Sequence, residues 1–287
     1  MKKILILTDF TDQSAPVMEA AVMLSARLHA NLILFNTFIS QPVLSEDGGN
    51  PWTVEELMWA DQSKEKLSFL KEDTENLISA LPAAYHHASV DCRQGIGSLG
   101  AQVKDLLCKE SVEMIVMGAR SGSAWDHILM GSDTVSVVNH TDRPVIIIPA
   151  GHPFEQLKKV TIATDFDEAD VNAVHYLTRL GRLFDFEIEI VHVRLWGKEG
   201  AGDVQRAAFE KHVAKFNYPD ITYQNIGGKD LTNRLNKLCE KNGSDLLVLV
   251  HDKHTLLDRL FNDTNAKSLL EKQDFPVMII PAKMTAL

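Results

Sequence analysis

Lys2-Lys-Ile-Leu-Ile-Leu-Thr-Asp-Phe10 returns later in the chain as Lys158-Lys-Val-Thr-Ile-Ala-Thr-Asp-Phe166. A second stretch, Arg143-Pro-Val-Ile-Ile-Ile-Pro-Ala150, returns as Phe275-Pro-Val-Met-Ile-Ile-Pro-Ala282. The first pair lies 156 positions apart and the second 132, so the later copy has lost about 24 residues from its middle. Two anchors recurring in the same order describe a tandem duplication, with domains over 1–150 and 151–287 and Gly151-His-Pro153 as the boundary. The lost residues map around Ile39 to Ala80, where a Pro/Gly-containing loop, Gln41 to Pro51, leads into a long amphipathic helix.

Working outward from these anchors, each copy alternates strand and helix. Strands are expected near 3–8, 31–37, 85–94, 113–118 and 144–149, with helices near 13–29, 53–80, 98–110 and 132–141. In the second copy strands are expected near 158–164, 186–193, 220–226, 245–250 and 276–281, with helices near 168–184, 202–216, 229–241 and 256–272. Runs that are apolar throughout, such as Ile4-Leu-Ile-Leu7 and Leu246-Leu-Val-Leu-Val250, suit parallel strands covered on both faces. The fold class is therefore α/β, with two tandem doubly wound five-stranded parallel-sheet domains.

Bulk composition narrows the function. Of 287 residues, 45% are hydrophobic and 24% charged, as in a globular chain with a sizeable core. The formal charge of −10 comes without any Lys/Arg cluster, which argues against nucleic-acid binding and docking on anionic membranes. The apolar run after Met1 ends at Thr8-Asp9, too short for a signal peptide, and no run approaches the ~18 apolar residues of a span. A cytoplasmic location is expected. Cys92, Cys108 and Cys239 lie far apart without a C-x-x-C, against a disulfide framework or zinc site. Cys108 and Cys239 fall late in comparable helices and read as small buried hydrophobes.

After the fourth strand comes Gly118-Ala-Arg-Ser121, then nine residues from Gly122 to Met130, then Gly131-Ser132 opening a helix. Glycines let backbone approach a phosphate, and the free N–H groups of a helix start favour its charge. With five strands, Thr-Asp-Phe after the first and Pro-Val-Ile-Ile-Ile-Pro at the fifth, the chain resembles the universal stress protein family, whose fold is adenine nucleotide alpha hydrolase-like. The resemblance covers both halves, as in the family's tandem members. The family's nucleotide-binding members carry G-x-x-G, nine residues and G-[ST]; here Ser121 replaces the second glycine and Gly122 follows it. The resemblance implies ATP or a related adenine nucleotide, with phosphates held by the backbone of Gly118, Ser121, Gly131 and Ser132 and with Gly122 beside them. Arg120, the cation near this cradle, reads either as a partner for phosphate or as a solvated loop residue. The resemblance places Asp9 by the ribose or an accompanying Mg²⁺ and Thr37 beside the base. It also implies that the fifth strands, Pro144–Pro149 and Pro276–Pro281, pair inside one chain as a pseudo-dimer, with a further homodimer and a protein partner as open expectations.

A shift of 132 residues converts Gly118 to Val250, Ser121 to Lys253, Gly131 to Asp263 and Ser132 to Thr264. Aspartate caps an empty helix start but repels phosphate, so the second copy reads as having kept the fold and lost this site. Gly95-Ile-Gly-Ser-Leu-Gly100 matches G-x-G-x-x-G, yet it follows a third strand and lacks the acidic residue a dinucleotide fingerprint needs. It reads as a tight turn into a helix. His86-His87 at a strand start would point to opposite faces. His251 and His254, with Asp252 between them, have the spacing of a metal pair but no third ligand is apparent, so they read as a polar loop, and Trp125 and His127 fall inside the glycine loop, Trp125 as its cover. No catalytic constellation, nucleophile elbow or P-loop lysine is present. The expected function is a stress-response protein that binds nucleotide as a regulatory ligand, not an enzyme. The alternatives are a nucleotide-free interaction scaffold, or a carrier of another small ligand around Asp165, His192 and His251.

Overall fold

The computed structural model describes residues 1–11, 14–38, 52–119, 132–149, 154, 156–195, 203–228, 231–251 and 275–284. These fall into two compact units: Met1–Gly118 with Ser132–Thr141, and Ala119 with Asp142–Leu287.

The first unit runs β1 (Lys3–Leu7), α1 (Ser14–Leu28), β2 (Asn31–Phe38), α2 (Trp52–Ser79), β3 (Val90–Ile96), α3 (Leu99–Leu107), β4 (Val112–Gly118) and α4 (Ser132–His140). Its strands lie in the order β3-β2-β1-β4 and are all parallel. Ile4, Leu5 and Ile6 of β1 are fully buried, because in a parallel sheet both faces of a central strand carry helices. The chain winds from β1 to β2 to β3 on one side and returns to β4 on the other. The winding therefore reverses between β1 and β4, and ligands of such sheets sit beyond the carboxyl ends at that switch.

The second unit takes β5 (Val145–Ile148), then β6 (Lys159–Thr164), α5 (Glu168–Phe184), β7 (Glu187–Leu195), α6 (Asp203–Val213), β8 (Ile221–Gly228), α7 (Leu231–Asn242), β9 (Leu246–His251) and β10 (Val277–Pro281). The strand order is β5-β10-β9-β6-β7-β8. All neighbours are parallel except β5 and β10, which pair antiparallel with Met278 opposite Ile146. The last strands of the two sequence copies are thus hydrogen-bonded to each other.

Three expectations need correction. The third strand begins at Val90, not near residue 85, because Pro82 opens a turn closed by the Tyr85 N–H on the Pro82 carbonyl at 2.9 Å. His86 and His87 therefore precede the strand, and the His86 ring packs 5.4 Å from that of His29. Cys108 is exposed, because α3 stops at Leu107 and Leu106 takes the buried position; Cys239 is buried as expected. Burial pushes the Cys239 thiol up to about 12, so it is inert as a nucleophile.

The glycine run Gly95–Gly100 is consumed by packing. Gly97 has φ of +113° at the turn from β3 into α3, a conformation side chains resist. A Cβ on Gly100 would lie 2.4 Å from Ser136 Oγ and 2.6 Å from the Ser136 carbonyl, so this glycine lets α3 and α4 touch. Gly100→Ala should therefore destabilise the chain by about 1–3 kcal/mol, the usual cost of overpacking, in denaturant unfolding. Unchanged stability would mean that the α3–α4 contact does not constrain the first unit.

Candidate functional site

Beyond β1 the chain makes a tight turn built from Thr8, Asp9 and Phe10. The Thr8 hydroxyl accepts the Phe10 N–H at 3.1 Å and lies 3.1 Å from the Ser14 hydroxyl. Phe10 has φ of +62°, a backbone state that is an outlier for a bulky side chain and tends to persist at functional sites. The Asp9 carboxylate turns back on its own loop, accepting the Thr11 N–H at 3.1 Å and the Thr11 hydroxyl at 2.7 Å. It is exposed to solvent at the carboxyl end of β1.

The neighbouring strand locks this turn. Asn36 Nδ2 donates to the Thr8 carbonyl at 2.7 Å, and the Ser63 hydroxyl of α2 donates to Asn36 Oδ1 at 2.9 Å. Both side chains are buried. Thr37 follows at the end of β2, half-buried and in register with Gly95 of β3. Gly118 closes β4, also half-buried, and Ser132 opens α4. The structure therefore brings Asp9, Thr37 and Gly118 to the carboxyl ends of β1, β2 and β4. Arg120, Ser121, Gly122 and Gly131 lie outside the described residues, as do Trp125 and His127. Lys253, His254, Asp263, Thr264, Asp252, the Gln41–Pro51 loop, Gly151–Pro153 and the helix expected near 256–272 also lie outside them.

Arg120 is not the sole cation to consider. Lys66 of α2 places Nζ 5.4 Å from the centroid of the Phe10 ring, close enough for a cation–π contact. This lysine lies on α2, at the place that the shorter α6 takes in the second unit, where Phe209 meets Phe166 instead.

The second unit repeats the turn with different chemistry. Phe166 has φ of +67°, and its N–H donates to the Thr164 hydroxyl at 2.8 Å. At the position of Ser14 stands Asp170, whose Oδ2 accepts the Thr164 hydroxyl at 2.7 Å, the Asp165 N–H at 2.9 Å and the Asp167 N–H at 3.3 Å. Burial pushes the Asp170 carboxyl up to about 6, against the pull of those three bonds. At the position of Asn36 stands His192, with Nδ1 2.9 Å from the Thr164 carbonyl. A carbonyl only accepts, so Nδ1 carries the proton and donates. His192 is 7% exposed, and its Nε2 is buried without a hydrogen-bond partner among the described residues. The Phe166 ring stacks on His192 at 4.5 Å and meets Phe209 of α6 at 5.2 Å. Asp165 follows β6 and His251 ends β9, on the two strands between which this unit's winding reverses.

Ser14, Asn36, Ser63 and Asp170 carry the turns, and single-copy reading does not single them out. The signal is the 156-residue shift, which aligns Ser14 with Asp170 and Asn36 with His192. Among the described residues no group of three His, Cys, Asp or Glu side chains could hold a metal ion. No described helix is long and apolar enough to cross a membrane. Truncating Asn36→Ala strands the half-buried Thr8 carbonyl and the buried Ser63 hydroxyl. It should cost about 1–3 kcal/mol in denaturant unfolding. A loss below ~0.5 kcal/mol would show that the Asn36 bridge does not hold the turn.

Comparison with known proteins agrees with this geometry. A universal stress protein from Archaeoglobus fulgidus superposes with a TM-score of 0.73 at 15% identity, covering 97% of this chain and 96% of that one. A functionally unknown protein from Pseudomonas aeruginosa PAO1 superposes with a TM-score of 0.60 at 10% identity, covering 98% and 92%. At such identities the likeness establishes the fold alone. No curated protein matches the sequence. The profile of the universal stress protein family matches residues 1–149, more than half of the chain, and with the Thr-Asp-Phe turn and the switch-point geometry in place, the chain belongs to the universal stress protein family.

Proposed function

We propose that the chain is a cytoplasmic tandem universal stress protein that binds ATP, or a related adenine nucleotide, at the carboxyl ends of β1, β2 and β4. The nucleotide is a regulatory ligand in a stress response, with little or no hydrolysis. The observation that carries this reading is the convergence of Asp9, Thr37 and Gly118 on one strand-end rim at the switch between β1 and β4, with α4 opening at Ser132. Sequence supplies the rest of the cradle, Gly118-Ala-Arg-Ser121-Gly122 and Gly131-Ser132. Their backbone N–H groups are suited to phosphate, with Arg120 as a partner in charge. Asp9 would meet the ribose or a nucleotide-borne Mg²⁺, and Thr37 the edge of the base. Lys66 adds positive charge beside the Asp9 turn.

Tandem architecture is supported by the recurrence of both sequence anchors and by the antiparallel pairing of β5 with β10, the pseudo-dimer arrangement. The second copy serves as a structural partner for the first. Hydrolysis is not favoured, because the cradle lacks the lysine that P-loop enzymes aim at the transferred phosphate.

Thermal unfolding of ligand-stripped protein with Mg·ATP, and with Mg·GTP as control, tests the reading. Nucleotide at a hundred times its Kd stabilises the binding state by about 2.7 kcal/mol, a rise in Tm of roughly 4 °C or more for a domain of this size. The rise should occur with ATP and vanish in Gly131→Asp, which copies Asp263. No rise at millimolar ATP would leave a nucleotide-free interaction scaffold in its place. A rise that survives Gly131→Asp would put the phosphates elsewhere.

A further inference from the structure

The two strand-end turns share one plan and differ at two positions. In the first unit the threonine hydroxyl meets the hydroxyl of Ser14 and its carbonyl takes the amide of Asn36. Neither Ser nor Asn changes charge with pH. In the second unit the same two roles fall to Asp170 and His192, both of which can gain or lose a proton. Asp170 is 4% exposed, and its Oδ2 gathers the hydroxyl of Thr164 and two backbone N–H groups. Those three donors hold the turn from the end of β6 into the first residues of α5.

We propose that the Thr164–Asp170 turn is a proton-responsive element. Uptake of a proton by Asp170 weakens its hold on the Thr164 hydroxyl and on the Asp165 and Asp167 N–H groups, whereas the matching turn of the first unit, built on Ser14, does not respond. Each of the three bonds favours the charged carboxylate, so each weakens when the charge is lost. Among the described residues, Asp167 is the charged neighbour on Asp170's own segment and His192 of β7 shares its partner Thr164, while Phe209 of α6 meets Phe166 of the same turn. The charge of Asp167 adds to burial in favouring protonation, which brings the carboxyl up to about 6. The responding turn lies at the switch point of the second unit, where protonation of Asp170 loosens its hold on two backbone N–H groups.

The sign of the stability effect is distinctive. A carboxyl raised above its unfolded value contributes stability that is full below the unfolded pKa and is lost as pH rises through the folded one. From pH 7.5 to 5, Asp170 thus makes the chain more stable while its own hydrogen bonds weaken. A turn that simply melted in acid would lower both together.

Amide NMR of the full-length chain between pH 7.5 and 5 tests the proposal, with Asp170→Asn and Asp170→Ser, the latter copying Ser14. In the wild type, the amide protons of Asp165 and Asp167 should move upfield with a shared midpoint near 6, while that of Phe10 does not follow that curve. Both variants should abolish the shared curve. The wild-type Tm should also rise, relative to either variant, as pH falls. Amides of Asp165 and Asp167 that do not titrate in the wild type would overturn the proposal even if neither variant folds. An unchanged curve in a folded variant would overturn it too, by tracing the response to another group such as His192.

Discussion

The hydrogen bond from a β2 side chain to the carbonyl of Thr8 governs the rest of the site. A parallel strand ordinarily hands each carbonyl to a neighbour's backbone. At the end of β1, Asn36 Nδ2 takes that carbonyl at 2.7 Å, and Ser63 secures Asn36 from α2. With its last carbonyl captured, the chain turns sharply, Phe10 is held at positive φ, and Asp9 is left at the rim. Stability thus underwrites a strained turn whose product is an exposed carboxylate beside the switch between β1 and β4. The second unit keeps the constraint and changes the atoms, with His192 Nδ1 at 2.9 Å from the Thr164 carbonyl.

This substitution shows how the two units can keep one turn while the chemistry at the strand end changes. The strand-end carbonyl needs a donor, and an amide or an imidazole supplies one equally well. The environment beyond that donor is free to differ. Asn36 passes its second polar atom to Ser63, and the Phe10 ring faces Lys66. His192 instead lies against Phe166, whose ring also meets Phe209, and its Nε2 is buried with no hydrogen-bond partner among the described residues. One rim is arranged with positive charge close by, and the other with aromatic cover and a buried carboxyl. The sequence contrast between Gly131 and Asp263 runs in the same direction.

Much of the architecture is legible because continuous apolar runs such as Ile4–Leu7 and Leu246–Val250 have few uses other than a two-sided sheet. Helix ends were less legible: Cys108 looked like a late helical core position, but Leu106 already fills it. The start of β3 is not legible at Tyr85-His-His87, because it is set by the turn that the Tyr85 N–H closes on the Pro82 carbonyl. Gly95–Gly100 shows the same limit at a motif. Its spacing matches a phosphate loop, and its use is set by Ser136 of a helix far away in sequence. At the site, Asp9, Thr37 and Gly118 could be placed because strand ends follow from strand spacing. Ser63 and Lys66 could not, since both lie on α2, whose rotation over the sheet depends on tertiary contact.

Because the two rims differ in chemistry, the proposed nucleotide is expected at the first rim and not at the second. The most direct measurement is a titration of the full-length chain with Mg·ATP, followed together by calorimetric stoichiometry and by amide NMR at Phe10, Thr11, Phe166 and Asp167. The expected result is one nucleotide per chain, with Phe10 and Thr11 perturbed and Phe166 and Asp167 unmoved. Two equivalents bound, or perturbation centred on Phe166, would contradict it.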